Sequence, residues 1–163
     1  MLHVPDACAL FNLHNGGVLE IAVSLNDCHF LLGKAVYGEA RSIAEELNRL
    51  LDLQKLAWID DAAIPASEFL RLKEEFDLGD GETECLSAAE HLECRLVFDD
   101  MAARRAGIEL IGAERVTGSI GVLRACVDAG NLERAAAYQA YELMKTMGGF
   151  LPAMTIDAMF PPA

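Results

Sequence analysis

No run in this chain reaches the ~18 apolar residues that a bilayer-spanning helix needs. The opening MLHVPD lacks a basic region and meets an acid at Asp6, so a secretory signal is not expected. The five cysteines (Cys8, Cys28, Cys85, Cys94, Cys126) include no C-x-x-C pair. That scatter supports neither a zinc site nor a disulfide framework. It suits small buried hydrophobes in a reducing compartment. Basic residues are scarce: 13 Lys and Arg stand against 26 Asp and Glu, a net charge of −13. Such a chain does not grip a phosphate backbone by bulk charge. It favours solubility, a cation or a basic partner. Internal repeats, low-complexity tracts and Pro/Gly linkers before the extreme C-terminus are also lacking. The expectation is a soluble, cytoplasmic protein with no membrane contact.

What remains is ample core material. Apolar residues make up 53% of 163 positions, enough for one domain with one core. Short apolar runs alternate with longer helical patterns, which predicts βαβ units around a parallel sheet. Strands are expected at 2–5, 29–33, 55–59, 95–98 and 114–118. From 36 to 51, Val36, Ala40, Ile43, Ala44, Leu47, Leu50 and Leu51 recur at three and four, a helical stripe. Asp80 is placed to cap a helix carrying Glu82 and Glu84. Further helices are expected at 101–110, 119–129 (ended by Gly130) and 132–147 (ended by Gly148–Gly149). The tail PAMTIDAMFPP reads as one short helix packed through Met154, Ile156, Met159 and Phe160.

The acids fall in a pattern. Asp6 follows the first strand, and the pair Asp99–Asp100 follows the fourth. Ligands gather beyond the carboxyl ends of strands in open α/β sheets. Glu39 and Glu84 lie near helix starts that face the same edge. Taken singly, an Asp after a strand caps a helix, and a Glu in a first turn suits the helix dipole. Together they conflict: two carboxylates ~4 Å apart repel by about 4 kcal/mol at an effective dielectric of 20. Either some hold protons or a divalent cation sits among them. Hard cations such as Mg²⁺ and Mn²⁺ take oxygen ligands, and such a metal can activate water toward a phosphodiester.

Five fragments carry a resemblance: DACAL (6–10), VYGE (36–39), GETECLSAA (81–89), LVFDDMAAR (96–104) and VTGSIGVL (116–123). In order and spacing, from about residue 3 to 130, the chain resembles the PIN-domain nucleases, the fold of VapC-type toxins. The resemblance implies a three-layer α/β/α sandwich with a central, mostly parallel sheet of about five strands. It implies a single domain over 1–163, with 131–163 as a C-terminal helical extension. It also implies Mg²⁺- or Mn²⁺-dependent hydrolysis of RNA, as the toxin of a toxin–antitoxin pair in many members. Carried over by position, the catalytic metal acids are Asp6, Glu39, Glu84 and one or both of Asp99 and Asp100. Asp99 is nearer the strand end, while counting from Leu96 favours Asp100. Glu82 belongs to the motif too, but Glu84 matches the third acid of the wider family. An antitoxin protein and a homodimer complete the expected partners.

One position departs from the pattern: Cys8 stands where the family often has Ser or Thr. Arg104 and Arg105 are the natural phosphate anchors, against the plainer reading of a solvated helix face with an Arg105–Glu109 ion pair. Thr117 and Ser119 flank Gly118 as caps, or else contact substrate or a metal water. The histidines show no ligand spacing, and Trp58 reads as core. A catalytically weak PIN-like interaction module is the alternative function. A receiver-type phosphotransfer site fits less well, since its paired acids come early and a Lys follows a late strand. A dehalogenase-type D-x-D is missing from DAC.

Overall fold

The computed structural model describes residues 1–60, 62 and 64–161. The elements run β1 (Leu2–Pro5), α1 (Ala7–Asn15), α2 (Leu19–Val23), β2 (His29–Leu32), α3 (Lys34–Glu39), α4 (Ala44–Asp52) and β3 (Leu56–Trp58). Then come α5 (Ala66–Phe76), α6 (Asp80–His91), β4 (Arg95–Val97), α7 (Met101–Ile111), β5 (Val116–Thr117), α8 (Ser119–Asp128), α9 (Arg134–Thr146) and α10 (Ile156–Met159). The five strands form one sheet in the order β3-β2-β1-β4-β5, every pairing parallel. Helices α1, α2, α8 and α9 pack on one another, and α3, α5 and α7 pack on α6. The architecture is the three-layer α/β/α sandwich, its sheet wholly parallel.

A parallel sheet covered on both faces needs strands apolar on both sides. Val4, Phe30, Leu32, Leu96 and Val97 are buried accordingly. The central pairing aligns Pro5 with Val97 and Val4 with Leu96. From β1 the chain winds outward to β2 and β3, then returns to the other side of β1 with β4 and β5. The order of strand succession therefore reverses between β1 and β4, and an α/β sheet opens a crevice at such a point.

Four expectations are corrected. The stripe at 36–51 is not one helix: α3 ends at Ala40, a 3-10 turn spans Arg41–Ile43, and α4 follows. Val36, Ala40, Ile43, Leu47 and Leu50 stay buried throughout. A 3-10 turn advances by threes, so it keeps the face in register and hides the break from periodicity. Asp80 does not cap α6; Gly79 occupies the cap, and the Asp80 carboxylate pairs with Lys73 instead. The fifth strand is shorter than expected because a 3-10 turn takes Ala113–Arg115. There Arg115 donates through Nη2 to the carbonyls of Ala89 (2.7 Å) and Cys94 (2.8 Å). Trp58 is 44% exposed rather than core, because β3 is an edge strand that turns only Leu56 inward. Its ring meets Tyr37 edge-on at 5.3 Å.

The segment after α8 packs firmly. Tyr141 and Met144 of α9 are fully buried, and α9 lies against α1, α8 and α10. The Tyr141 hydroxyl donates to the Pro152 carbonyl (2.6 Å) and accepts from the Met154 N–H (3.1 Å). A buried phenol needs such partners. Met159 and Phe160 are buried as the tail pattern implied; that pattern runs on to Pro162, outside the described residues. Among the described residues no helix is long and apolar enough to cross a membrane. Tyr141→Phe strands two backbone groups and is expected to destabilise the fold by about 1–3 kcal/mol, read as a lowered urea midpoint with an unchanged slope.

Candidate active site

Asp6 sits at the sheet reversal. Its backbone N–H donates to the Val97 carbonyl (3.1 Å), continuing the β1–β4 ladder by one residue. Its side chain caps α1, Oδ1 accepting from the Ala9 N–H at 2.6 Å. The other oxygen, Oδ2, is buried and finds no partner at hydrogen-bond geometry among the described residues, and the residue is 2% exposed. Burial pushes the Asp6 carboxyl up to about 8; the charges of Asp99 and Glu82 push the same way, and the N–H groups of Ala9 and, more weakly, Asp99 oppose them.

Asp99 stands beside it across β4. Its Oδ1 accepts from the Ser119 N–H (2.9 Å), and its Oδ2 from the Asn12 amide (2.8 Å) and the Ser119 hydroxyl. Asn12 and Ser119 are buried, so their donors are fixed. Gly118 makes the arrangement possible: a Cβ there would come within 2.6 Å of Asp99 Oδ1 and 3.0 Å of the Phe98 carbonyl. Asp100 has a different task. It caps α7, Oδ1 accepting from Ala102 (2.8 Å) and Ala103 (2.9 Å), and it is exposed. The two acids at the strand end thus divide between a site carboxylate and a helix cap.

The three glutamates divide similarly. Glu84 leans on α3, accepting from the backbone N–H groups of Lys34 (2.9 Å), Ala35 (2.9 Å) and Val36 (3.3 Å). Gly33 leaves the room for it; a Cβ there would overlap the Glu84 carboxylate. That carboxylate neutralises orphan donors at a helix N-terminus. Glu82, one half-turn earlier and half-buried, is the α6 acid whose charge is felt at Asp6, Glu39 and Cys8. Glu39 accepts from the Gly81 N–H (3.1 Å) across the α3–α6 contact. Partial burial raises the Glu39 carboxyl, with Glu82 and Asp80 adding to it and the Gly81 N–H opposing. Among the described residues no three His, Cys, Asp or Glu side chains stand close enough to form a closed cation cage. The acids make an open arc along one sheet edge.

Two cavities meet at Asp99. One, of about 360 Å³, lies between α1 and the turn after α9, with Cys8, Asn12, Asp100 and Phe150 in its wall. The other, of about 310 Å³, is walled by Arg104, Thr117, Gly118 and Arg124. Arg104 is half-buried and steered by one bond, Nη1 donating to the Phe98 carbonyl (2.8 Å). Arg105 is exposed, makes no ion pair with Glu109 and lines neither of these cavities. The Thr117 hydroxyl occupies the space above Gly121, where a Cβ would overlap it. Ser119 is no cap; its hydroxyl serves Asp99. Sequence reasoning missed Asn12 and Arg124. A lone amide inside the apolar run ALFNL was the available signal for the first; nothing marked the second.

A PIN-domain family model matches residues 2–160. The chain belongs to the PIN-domain family. No curated protein and no solved structure matches it. PIN domains are generally nucleases and typically use divalent metals. The donor chemistry of this PIN domain fits such a group, because Asp6 Oδ2 is a buried carboxylate oxygen without a hydrogen-bond partner among the described residues, and the neighbouring Asp99 and Glu82 side chains offer only oxygen.

The raised Asp6 carboxyl predicts a pH signature in metal-free buffer. Unfolded Asp releases its proton near 3.8, whereas folded Asp6 keeps it to about 8. Its contribution therefore becomes steadily less favourable as pH climbs between those values, then levels off. Asp6→Asn has no such slope. Thermal unfolding in EDTA should show the variant gaining on the parent from pH 5 to pH 8, and parallel curves would contradict the burial.

Proposed function

We propose that this PIN domain is a metal-dependent endoribonuclease that hydrolyses RNA phosphodiester bonds. Asp6, Glu82 and Asp99 are the residues to hold Mg²⁺ or Mn²⁺, with Glu39 behind Glu82. One observation carries the reading: the unpartnered Asp6 oxygen at the sheet reversal, with Asp99 and Glu82 acting on it. This moves the α6 ligand from Glu84, whose oxygens serve α3, to Glu82. When bound, the cation supplies positive charge at the phosphoryl oxygens and acidifies water at the site.

The chain's own groups do the rest. Asn12 and Ser119 donate to Asp99 and fix its plane, as outer partners of a ligating carboxylate do. Asp6 must lose its proton to bind a cation, so affinity rises with pH toward 8. Arg104, in the cavity beyond Asp99, offers its remaining N–H groups to a phosphate, with Thr117 beside it. The Asp100 cap holds α7, and with it Arg104, in register. The biological setting we propose is a cytoplasmic toxin of a toxin–antitoxin pair, homodimeric, its acidic surface suited to a basic antitoxin.

A second reading is a PIN-like interaction module with little turnover. It is favoured by the open arc of acids and by Cys8, whose thiol, pushed up to about 11 by burial and the surrounding acids, lacks a hydroxyl's capacity to orient a carboxylate or water. Mn²⁺ calorimetry separates the two, since a folded protein that takes up no Mn²⁺ is the module.

The nuclease reading predicts that single-stranded RNA is cleaved with Mn²⁺ and spared with EDTA. Asp6→Asn should fall to background, and Ser119→Ala should lose about 10- to 100-fold. Equal cleavage by parent and Asp6→Asn would assign the activity to a contaminant.

A further inference from the structure

The turn after α9 presents Phe150 entirely to solvent, at 100% exposure. Its setting is rigid. Gly148 takes a left-handed conformation (φ +96°), and the Gly149 N–H donates to the Met144 carbonyl (2.8 Å). A Cβ on Gly149 would overlap the Asn12 amide oxygen, so the turn is pressed against α1. Two residues on, Tyr141 grips the Pro152 carbonyl. The backbone that carries this bare aromatic ring is thus tied on both sides, and the residue stands between the two cavities and lines both.

The larger cavity is suited to a flat, polar-edged ligand. Cys8, Phe11, Asn12 and Asn15 recur at three and four along α1, so one helix face forms its wall. Phe11, Met147 and Phe150 supply apolar surface. At about 360 Å³ it falls within the range of small-molecule sites. Asn15 is half-buried there, and its amide makes no hydrogen bond to any described residue. An amide offers both a donor and an acceptor to a base edge. Across the cavity, Asp100 uses Oδ1 alone for its capping bonds, leaving Oδ2 as an acceptor. A carboxylate at that position accepts from the exocyclic amino group of adenine or cytosine, whereas uracil places the acceptor O4 there, which repels a carboxylate and leaves N3–H as the one donor on that edge.

We propose that this cavity is a nucleobase subsite, with Phe150 the stacking surface and Asn15 the amide that reads the base edge. The ligand is an unpaired base of single-stranded RNA, an amino-bearing base being preferred to uracil. The inference rests on the nuclease reading and deepens it. Asp99 is shared by both cavities, so a base on the Phe150–Asn15 side leaves its phosphate beside Asp99, with Arg104 beyond. Stacking and edge recognition also give an acidic protein a grip on RNA that does not depend on bulk charge.

The test is binding without cleavage, by fluorescence anisotropy of labelled oligo(A), oligo(C) and oligo(U) with the whole chain in EDTA. Ionic strength is kept near physiological, where screening blunts the repulsion between protein and RNA. The parent should bind oligo(A) and oligo(C) more tightly than oligo(U). Phe150→Ala should weaken binding about tenfold, Phe150→Trp should restore it, and Asn15→Ala should weaken binding of all three oligonucleotides alike, the preference for amino-bearing bases persisting because the Asp100 carboxylate sets it. Phe150 is exposed and Asn15 half-buried, so unchanged thermal midpoints verify the fold of each variant. Parent-like binding by Phe150→Ala and Asn15→Ala, or no binding of any oligonucleotide by the parent, overturns the subsite. RNA that binds through Phe150 but survives Mn²⁺ uncut leaves the subsite standing and removes the nuclease reading instead.

Discussion

The parallel pairing of β1 with β4 is the constraint from which the candidate site follows. Matching Pro5 to Val97 brings Asp6 and Asp99 out of the sheet side by side, one residue and two residues past the aligned pair. Neither acid is placed by attraction to the other; burial, with the Asp99 charge adding to it, leaves Asp6 holding its proton to about 8. Apolar strand residues, buried on both faces, force two carboxylates into proximity, and the energy of that burial offsets a local electrostatic penalty. The same reversal of strand order opens the crevice in which they meet.

How the fold tolerates so many acids is visible in their partners. Asp99, Asp100, Glu39 and Glu84 each rest on backbone N–H groups, mostly at the first turn of a helix. Glycine repeatedly provides the access. Gly33, Gly81 and Gly118 each stand where a methyl group would collide with a carboxylate. The glycines of GETEC and VTGSIG are thus sites of close approach rather than flexible points. Asp6 is the exception among the site acids, with one oxygen satisfied and one stranded.

Much of this was legible in the letters. Strand positions could be read because continuous apolar runs of four or five residues fit a sheet buried on both faces. The convergence of Asp6 and Asp99 followed from their places after strands. The division of labour within DD and within GETE was not legible, because the two acids of each pair are chemically alike and only backbone geometry decides which turns to the crevice and which to a helix end. Asn12 lay too far from any motif to be tied to Asp99, since that bond spans 87 positions. Trp58 was misread because an apolar triplet looks the same at the edge of a sheet as in its centre. The break at Ala40 escaped because 3-10 and α geometry share the spacing of three.

Arg115 gives the molecule a mechanical property as well. A single guanidinium nitrogen answers one carbonyl at the far end of α6 and another just before β4. Glu82 rides on the near end of α6, and Asp99 and Ser119 follow β4 and β5, the strands that Arg115 adjoins. Sliding the helix along the sheet would strand two acceptors in one movement, so the separation between the glutamate and aspartate sides of the crevice is braced from behind, at a point outside both cavities that meet at Asp99.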